Sequence, residues 1–343
     1  MSRIDNLVRE NIRTLTPYSS ARDEYSGKKG IFMDANENPF GKLNRYPDPH
    51  HRSLRAAVGR VTRFSEENIF LGNGSDEAID LLFRIFCKPG SDLALTFTPT
   101  YGMYEVSAAV NDIQMVKVPL DGNFMIDGEL TRKYLDDSRI RLVFICSPNN
   151  PTSNSFERDT VISIIEHFRG IVVIDEAYID FSDEPSLLPL IEKYDNLVIL
   201  RTFSKAWGAA GIRVGMVFSN PEIIRYLYKV KAPYNISSVN QQAALRRLKK
   251  AEKYRRQIGQ IKDERIRLAD WLEQLPFVDK VYPSDANFLL VKVKDADAIY
   301  KLLAAKNIIV RNRSSVVPNC LRITVGTKEE NKMLLKELKN SRL

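Results

Sequence analysis

The chain has 343 residues, 44% of them hydrophobic and 27% charged, with a formal net charge of +8. This length predicts one large or two ordinary domains with ample core, and the composition is that of a soluble globular protein. Residues 1–10 mix both charge signs without a signal-peptide core, no run is long enough to span a membrane, and Cys87, Cys146 and Cys320 read as reduced core thiols, so a cytoplasmic protein without a metal site is expected.

Residues 1–30 predict a short helix and then an arm, Thr14 to Arg22. The stretches Asn36-Glu-Asn-Pro-Phe-Gly41 and Arg45-Tyr46-Pro-Asp-Pro are turn chemistry, with a helix starting near His50. A short strand over 68–71 runs into Gly72-Asn-Gly74-Ser75-Asp76, where Ser75 or Asp76 suits an N-cap. A glycine turn feeding a helix N-terminus is either an ordinary capped helix or a phosphate seat built from free N–H groups. A strand over 92–97 and the turn Pro99-Thr-Tyr101-Gly follow.

Strand and helix then alternate: strands over 113–118, 141–147, 171–175 and 197–202, helices over 127–137, 157–168 and 187–194. That alternation predicts an α/β fold with right-handed crossovers and a mainly parallel sheet flanked by helices. Residues 215–219 suit an antiparallel member. After a helix from Pro221, the segment 231–238 leads to a long helix over 239–275. Its basic stretch from Arg246 carries apolar residues at helical spacing, so it reads as a solvated helix face and not a nucleic-acid site. The rest is α+β, with strands over 280–282, 287–293, 308–310 and 321–325 and helices over 296–306 and 328–339. The expected units are 1–30, a helix and arm packing with the small domain, a large domain over 31–234 and a smaller α+β domain over 235–343.

Three apolar runs end in polar residues that belong together. Leu197 to Leu200 leads to Thr202, Ser204 and Lys205; Ile171 to Ile174 leads to Asp175 and Tyr178; Leu142 to Ile145 leads to Asn149 and Asn150. In an open α/β sheet ligands bind beyond the carboxyl ends of the strands. A desolvated lysine there is a nucleophilic amine. Lys205 as Schiff-base lysine, Asp175 on a pyridinium nitrogen, Asn150 and Tyr178 on a ring hydroxyl, and Ser204 with Arg213 on a phosphate fit pyridoxal phosphate. With that second phosphate holder, the turn at Gly74, Ser75 and Asp76 reads as part of the same seat.

The motifs Asn36-Glu-Asn-Pro-Phe-Gly41, Gly72-Asn-Gly-Ser-Asp-Glu77, Pro99-Thr-Tyr-Gly-Met-Tyr104, Ser147-Pro-Asn-Asn-Pro-Thr152, Asp175-Glu-Ala-Tyr178, Thr202-Phe-Ser-Lys205, Lys231-Ala-Pro-Tyr-Asn235 and Cys320-Leu-Arg-Ile-Thr-Val-Gly326 occur in this order. In these the chain resembles the fold-type I pyridoxal-phosphate aminotransferases, and within them the histidinol-phosphate aminotransferases, over nearly its whole length. The resemblance implies that Tyr101 stacks on the cofactor ring. It also implies a homodimer in which Tyr46 crosses to the partner's cofactor phosphate. Asn36, Arg311 and Arg322 would meet the substrate, the two arginines at its anionic end; Tyr18 would contact substrate or simply pack. The implied reaction moves an amino group between L-histidinol phosphate and 2-oxoglutarate, giving imidazole acetol phosphate and L-glutamate in histidine biosynthesis. Threonine-phosphate decarboxylases and aromatic amino-acid aminotransferases share the resemblance. The family's usual glycine after Asn-Pro-Thr is Ser153 here, which predicts a different path for that turn.

Overall fold

A computed structural model describes residues 2–19 and 30–340; positions 20–22 of the expected arm lie outside them. A seven-stranded sheet has the order β1-β7-β6-β5-β4-β2-β3. Its strands are β1 (Ile69–Gly72), β2 (Leu93–Thr98), β3 (Gln114–Pro119), β4 (Ile140–Cys146), β5 (Ile171–Asp175), β6 (Leu197–Thr202) and β7 (Gly215–Ser219). β7 alone runs against the others, pairing antiparallel with both β1 and β6. Alternate residues enter two cores: Val172 and Ile174 one, Ile171 and Val173 the other. Helices on both faces explain why these strands read as unbroken apolar runs.

A second sheet, ordered β10-β11-β9-β8, is built from β8 (Val278–Val281), β9 (Phe288–Val293), β10 (Arg311–Asn312) and β11 (Cys320–Thr324). Its core takes Leu289, Val291, Leu321 and Ile323 from the strands and Leu268, Leu272, Leu303 and Leu335 from helices. The three cysteines are free and buried. Among the described residues no helix is long and apolar enough to cross a membrane.

The structure departs from the sequence expectations at several points. The helix expected over 239–275 is two, Ser238–Leu248 and Ala251–Glu273. The first buries Ala244 and Leu248 in a core of the large sheet, the second Leu268 and Leu272 in the core of the small one. A straight helix could not serve both, so the chain turns at Lys249–Lys250. The helix expected over 187–194 is a short 3-10 turn, Leu188–Glu192, with Pro189 in its first turn. The strand expected over 308–310 forms instead at Arg311–Asn312, where β11 supplies the partner. The N-terminal helices Arg3–Leu7 and Glu10–Arg13 do not pack with the small sheet. Ile4, Val8 and Ile12 are buried with Phe83 and Ile85 in a core of the large one, and the Arg141 guanidinium donates to the Leu7 carbonyl at 2.9 Å.

Candidate active site

β4, β5 and β6 are parallel, so their carboxyl ends share one edge of the sheet. Asp175 there pairs in register with Cys146 on one side and Leu200 on the other. Beyond that edge a cavity of about 250 Å³ is lined by Ser75, Asp76, Tyr101, Asn150, Asp175, Tyr178, Thr202, Ser204, Lys205, Arg213 and Arg322, with Cys146, Ala177 and Ala210. Eleven residues singled out from the sequence thus meet in one place.

One end of this cavity is a ready anion seat. Gly72, Gly215 and Thr202 lie level across β1, β7 and β6. The turn after β1 passes so close over β7 that a Cβ on Gly215 would sit 2.3 Å from the Ser75 nitrogen. The helix Ser75–Phe86 is not capped by Ser75 or Asp76, as its sequence suggested. Its N-cap is Gly74, with φ +81° and no side chain to occupy the free N–H groups. A side chain at Gly74 would meet the Arg213 guanidinium at 2.6 Å. A helix N-terminus left open in this way attracts an anion. Arg213, itself left-handed at φ 49°, donates to Asp76 Oδ2 at 3.2 Å and to Ser204 Oγ at 3.5 Å. Thr202 Oγ1 accepts from the Ser204 amide and donates to its hydroxyl, both at 3.0 Å, which fixes the loop entering Lys205.

The other end holds a buried acid. Asp175 is 4% exposed, and burial raises its carboxyl to about 6, against hydrogen bonds that pull it down. Those bonds come from the Tyr104 hydroxyl, 2.8 Å, and the Ala177 amide, 3.1 Å. Lys205 lies between the two ends. Burial first, then the Arg322 charge, lowers its ammonium below the usual lysine range. Its Nζ sits 5.4 Å from the Tyr178 ring centre. Burial raises the Tyr178 hydroxyl in turn.

Arg322 reaches in from β11, donating to Asn150 Oδ1 at 2.5 Å with its guanidinium 5.4 Å over the Phe288 ring. This leaves the Asn150 amide nitrogen available to a ligand. Arg311 stands directly opposite Arg322 on the β10–β11 hairpin and lines an adjoining cavity of about 470 Å³ that Arg322 shares. Tyr101 is held in place at the cavity wall. Its hydroxyl donates to Asp76 Oδ1 at 3.0 Å, and its ring meets Tyr104 edge-on. Tyr18, Asn36 and Tyr46 are exposed and do not line this cavity; Tyr46 instead stacks on Tyr234 with ring centres 4.4 Å apart. Ser153 takes φ +69°, in the left-handed region that a glycine favours. Its hydroxyl donates to the Pro283 carbonyl at 3.1 Å.

Sequence reasoning missed Tyr104 as a partner of Asp175. The signal was present in the Tyr-x-x-Tyr spacing, which brings the Tyr101 and Tyr104 ring centres to 5.5 Å from each other. Phe288, which supports both Tyr178 and Arg322, carried no such signal.

The family model of class I and II aminotransferases matches residues 25–338. A histidinol-phosphate aminotransferase of Parabacteroides distasonis is 50% identical to the chain over the full length of both. The crystal structure of the histidinol-phosphate aminotransferase from Clostridium acetobutylicum is 28% identical with a TM-score of 0.80, covering 87% of this chain and 90% of that one. That of the Sinorhizobium meliloti enzyme in complex with pyridoxal-5'-phosphate, at 23% identity and a TM-score of 0.79, covers 89% of this chain and 90% of that one and shares the fold.

Proposed function

The chain belongs to the class I and II aminotransferases, and we propose that it transfers the amino group of L-histidinol phosphate to 2-oxoglutarate, giving imidazole acetol phosphate and L-glutamate. The observation that carries this is Lys205, a partly buried amine set between an open anion seat and a buried carboxylate, in a chain whose full-length relative carries that name.

The donor set fits pyridoxal phosphate. Ser75, Ser204, Arg213 and the N–H groups after Gly74 would hold its phosphate. Asp175 would hold its ring nitrogen, Asn150 and Tyr178 its ring hydroxyl, and Lys205 would hold it covalently; Tyr101 would cover the ring. The bound cofactor supplies an electron sink for the amine-bearing carbon of the substrate.

The protein's own groups then divide the work. Asp175 keeps its negative charge against a cationic ring nitrogen, and Tyr104 orients that carboxylate. Lys205 Nζ, whose ammonium burial and the Arg322 charge hold below the usual lysine range, would take the proton from the substrate carbon and return it in the course of the transfer. Arg322 and Arg311 grip the far anionic end, phosphate in one substrate and carboxylate in the other. Asn36 and Tyr18 would close over that end.

A second copy of the chain completes the proposal. Ile31, Met33, Phe40 and Leu43 are exposed along one stretch, an apolar surface suited to a homodimer interface that would carry Tyr46 to the partner's anion seat. An active monomer in light scattering would overturn the dimer. The free buried thiols suit a cytoplasmic setting.

The reaction is tested by mixing the loaded protein with L-histidinol phosphate. The absorbance of the lysine-bound cofactor should disappear and return on adding 2-oxoglutarate. Release of CO₂ with no need for an oxo acid would point instead to a phospho-amino-acid decarboxylase.

A further inference from the structure

The hairpin that carries Arg311 and Arg322 holds a third arginine. Arg311 and Arg322 are cross-strand partners, and the Arg313 amide donates to the Cys320 carbonyl at 2.8 Å. With a period of two along each strand, Arg311, Arg313, Cys320 and Arg322 fall on one face of the small sheet. That face looks toward the large unit, for Arg322 there bonds Asn150 and Cys320 packs beside Phe124. The Arg313 carbonyl accepts from both the Val316 and Val317 amides at 2.9 Å, which closes the turn and fixes the arginine's place.

Arg313 has no complement. Its Nε is buried without a partner, and its guanidinium enters no side-chain hydrogen bond or ion pair with any described residue. From Arg311 to Arg322 the sequence has three arginines and no carboxylate. Asp297, the acid nearest the hairpin in the bonding pattern, is taken by the Asn312 amide. The influences on Arg313 are burial, then Arg322, then Arg311, all of which disfavour its charge. Like charges placed opposite on neighbouring strands are destabilising, and a desolvated cation costs more still. Such a cluster is relieved by an anion between its members.

Resting on the substrate reading above, we propose that Arg313 is the third guanidinium of the substrate-anion subsite and gives it preference for a phosphate monoester over a carboxylate. One carboxylate is met by the facing pair Arg311 and Arg322. A phosphate monoester carries about −1.5 to −2 charge and three acceptor oxygens at neutral pH, so it has both charge and oxygen to spare for a third fork.

The test uses the cofactor-loaded protein, in which the cofactor's own phosphate fills the seat at Arg213. Calorimetric affinities for inorganic phosphate and for succinate are compared between wild type and Arg313→Gln, with thermal unfolding measured in the absence and presence of phosphate. Phosphate affinity should fall about tenfold, the loss expected for one charge-assisted hydrogen-bond partner, while succinate affinity changes less than about threefold. Without added anion the variant should unfold at the same or a higher temperature, because a like charge has gone, and phosphate should raise that temperature less than in wild type. Equal losses for both anions, an unchanged phosphate affinity, or a lower anion-free unfolding temperature would overturn the proposal. Should Arg313→Gln not fold, Arg313→Lys takes its place, expected to lose phosphate affinity and spare succinate; loss of neither, or of both alike, overturns the proposal. These readouts need no turnover, so they separate from the functional reading, which fails if wild type does not transaminate L-histidinol phosphate.

Discussion

Asp175→Asn should stabilise the cofactor-free protein while disabling the loaded one. Burial lifts the Asp175 carboxyl from 3.8 to about 6, so between those values the folded chain holds a proton that the unfolded chain does not. The stability this group contributes is full below pH 3.8 and is lost as pH rises through about 6. At pH 8 the folded state therefore carries an ionised buried carboxylate at a cost of about 3 kcal/mol, at 1.36 kcal/mol per pKa unit. Asparagine has the same shape and no charge. Its oxygen can still accept from the Ala177 amide, and the Tyr104 hydroxyl can rotate to accept from its nitrogen, so neither existing bond need be forfeited. For a chain of this size about 3 kcal/mol corresponds to about 4 °C in unfolding temperature. Cofactor-free wild type and variant would be melted at pH 8 and again below pH 4, where the difference should vanish. In the loaded protein turnover should drop by about tenfold to a hundredfold or more, since a neutral amide cannot balance a cationic ring nitrogen. A variant less stable than wild type at pH 8, or a gain that persists below pH 4, would refute the account of Asp175 as a destabilising charge held in reserve.

Lys205→Ala should lose nearly all turnover and the covalent attachment; borohydride should fix cofactor to wild type and not to the variant, and wild-type activity in the variant would contradict the assignment. Gly74→Ala puts a methyl in a backbone region at φ +81°, 2.6 Å from the Arg213 guanidinium. It should cost about 1–3 kcal/mol of stability and weaken cofactor binding in a spectroscopic titration, with unchanged affinity counting against the anion seat. Arg322→Lys should lower kcat/KM for both substrates by about tenfold to a hundredfold through loss of a bidentate grip, while the bound-cofactor spectrum stays intact; equal activity on L-histidinol with and without its phosphate would remove anion recognition from the mechanism.

The parts of this fold that were legible are those where one physical rule acts locally. β4, β5 and β6 are buried on both faces, so their apolar runs announced them, and the rule for strand ends gathered Asn150, Asp175 and Lys205 without knowledge of any contact. What stayed hidden depends on distant register. That Arg311 faces Arg322 follows from a hairpin pairing, and the apolar Ile308 and Val310 drew the strand assignment three residues too early because they pack under the small sheet. The division of the long helix at Lys249–Lys250 reflects two separate cores, which periodicity within a single basic stretch cannot separate. At Ser75 and Asp76 the sequence offered a good cap, yet the positive-φ glycine before them is the N-cap, and the helix start is left open.

That open helix start belongs to a pattern across the whole cavity. Burial raises Asp175 and Tyr178 and lowers Lys205 and Arg322, and in each case it is the largest cause. Acids and bases whose environments push them in opposite directions mark a site arranged for proton transfer. The pattern also shows where the protein leaves charge unbalanced. Among the described residues Asp175 and Arg322 form no ion pair, the Arg322 guanidinium bonding the neutral Asn150 oxygen, and Arg213 shares a single carboxylate with the Tyr101 hydroxyl. On the proposed reading a ring cation, a substrate anion and a cofactor phosphate would complete these three groups in turn. Their binding free energy would then come partly from balancing charge that the protein alone leaves unpaired. A further consequence concerns Lys205: an anion seated on Arg322 removes one of the two leading causes that lower its ammonium. On the proposed reading the amine would become a stronger base when the substrate's far end is in place, and recognition of the anion and removal of the proton would be coupled through the Arg322 guanidinium.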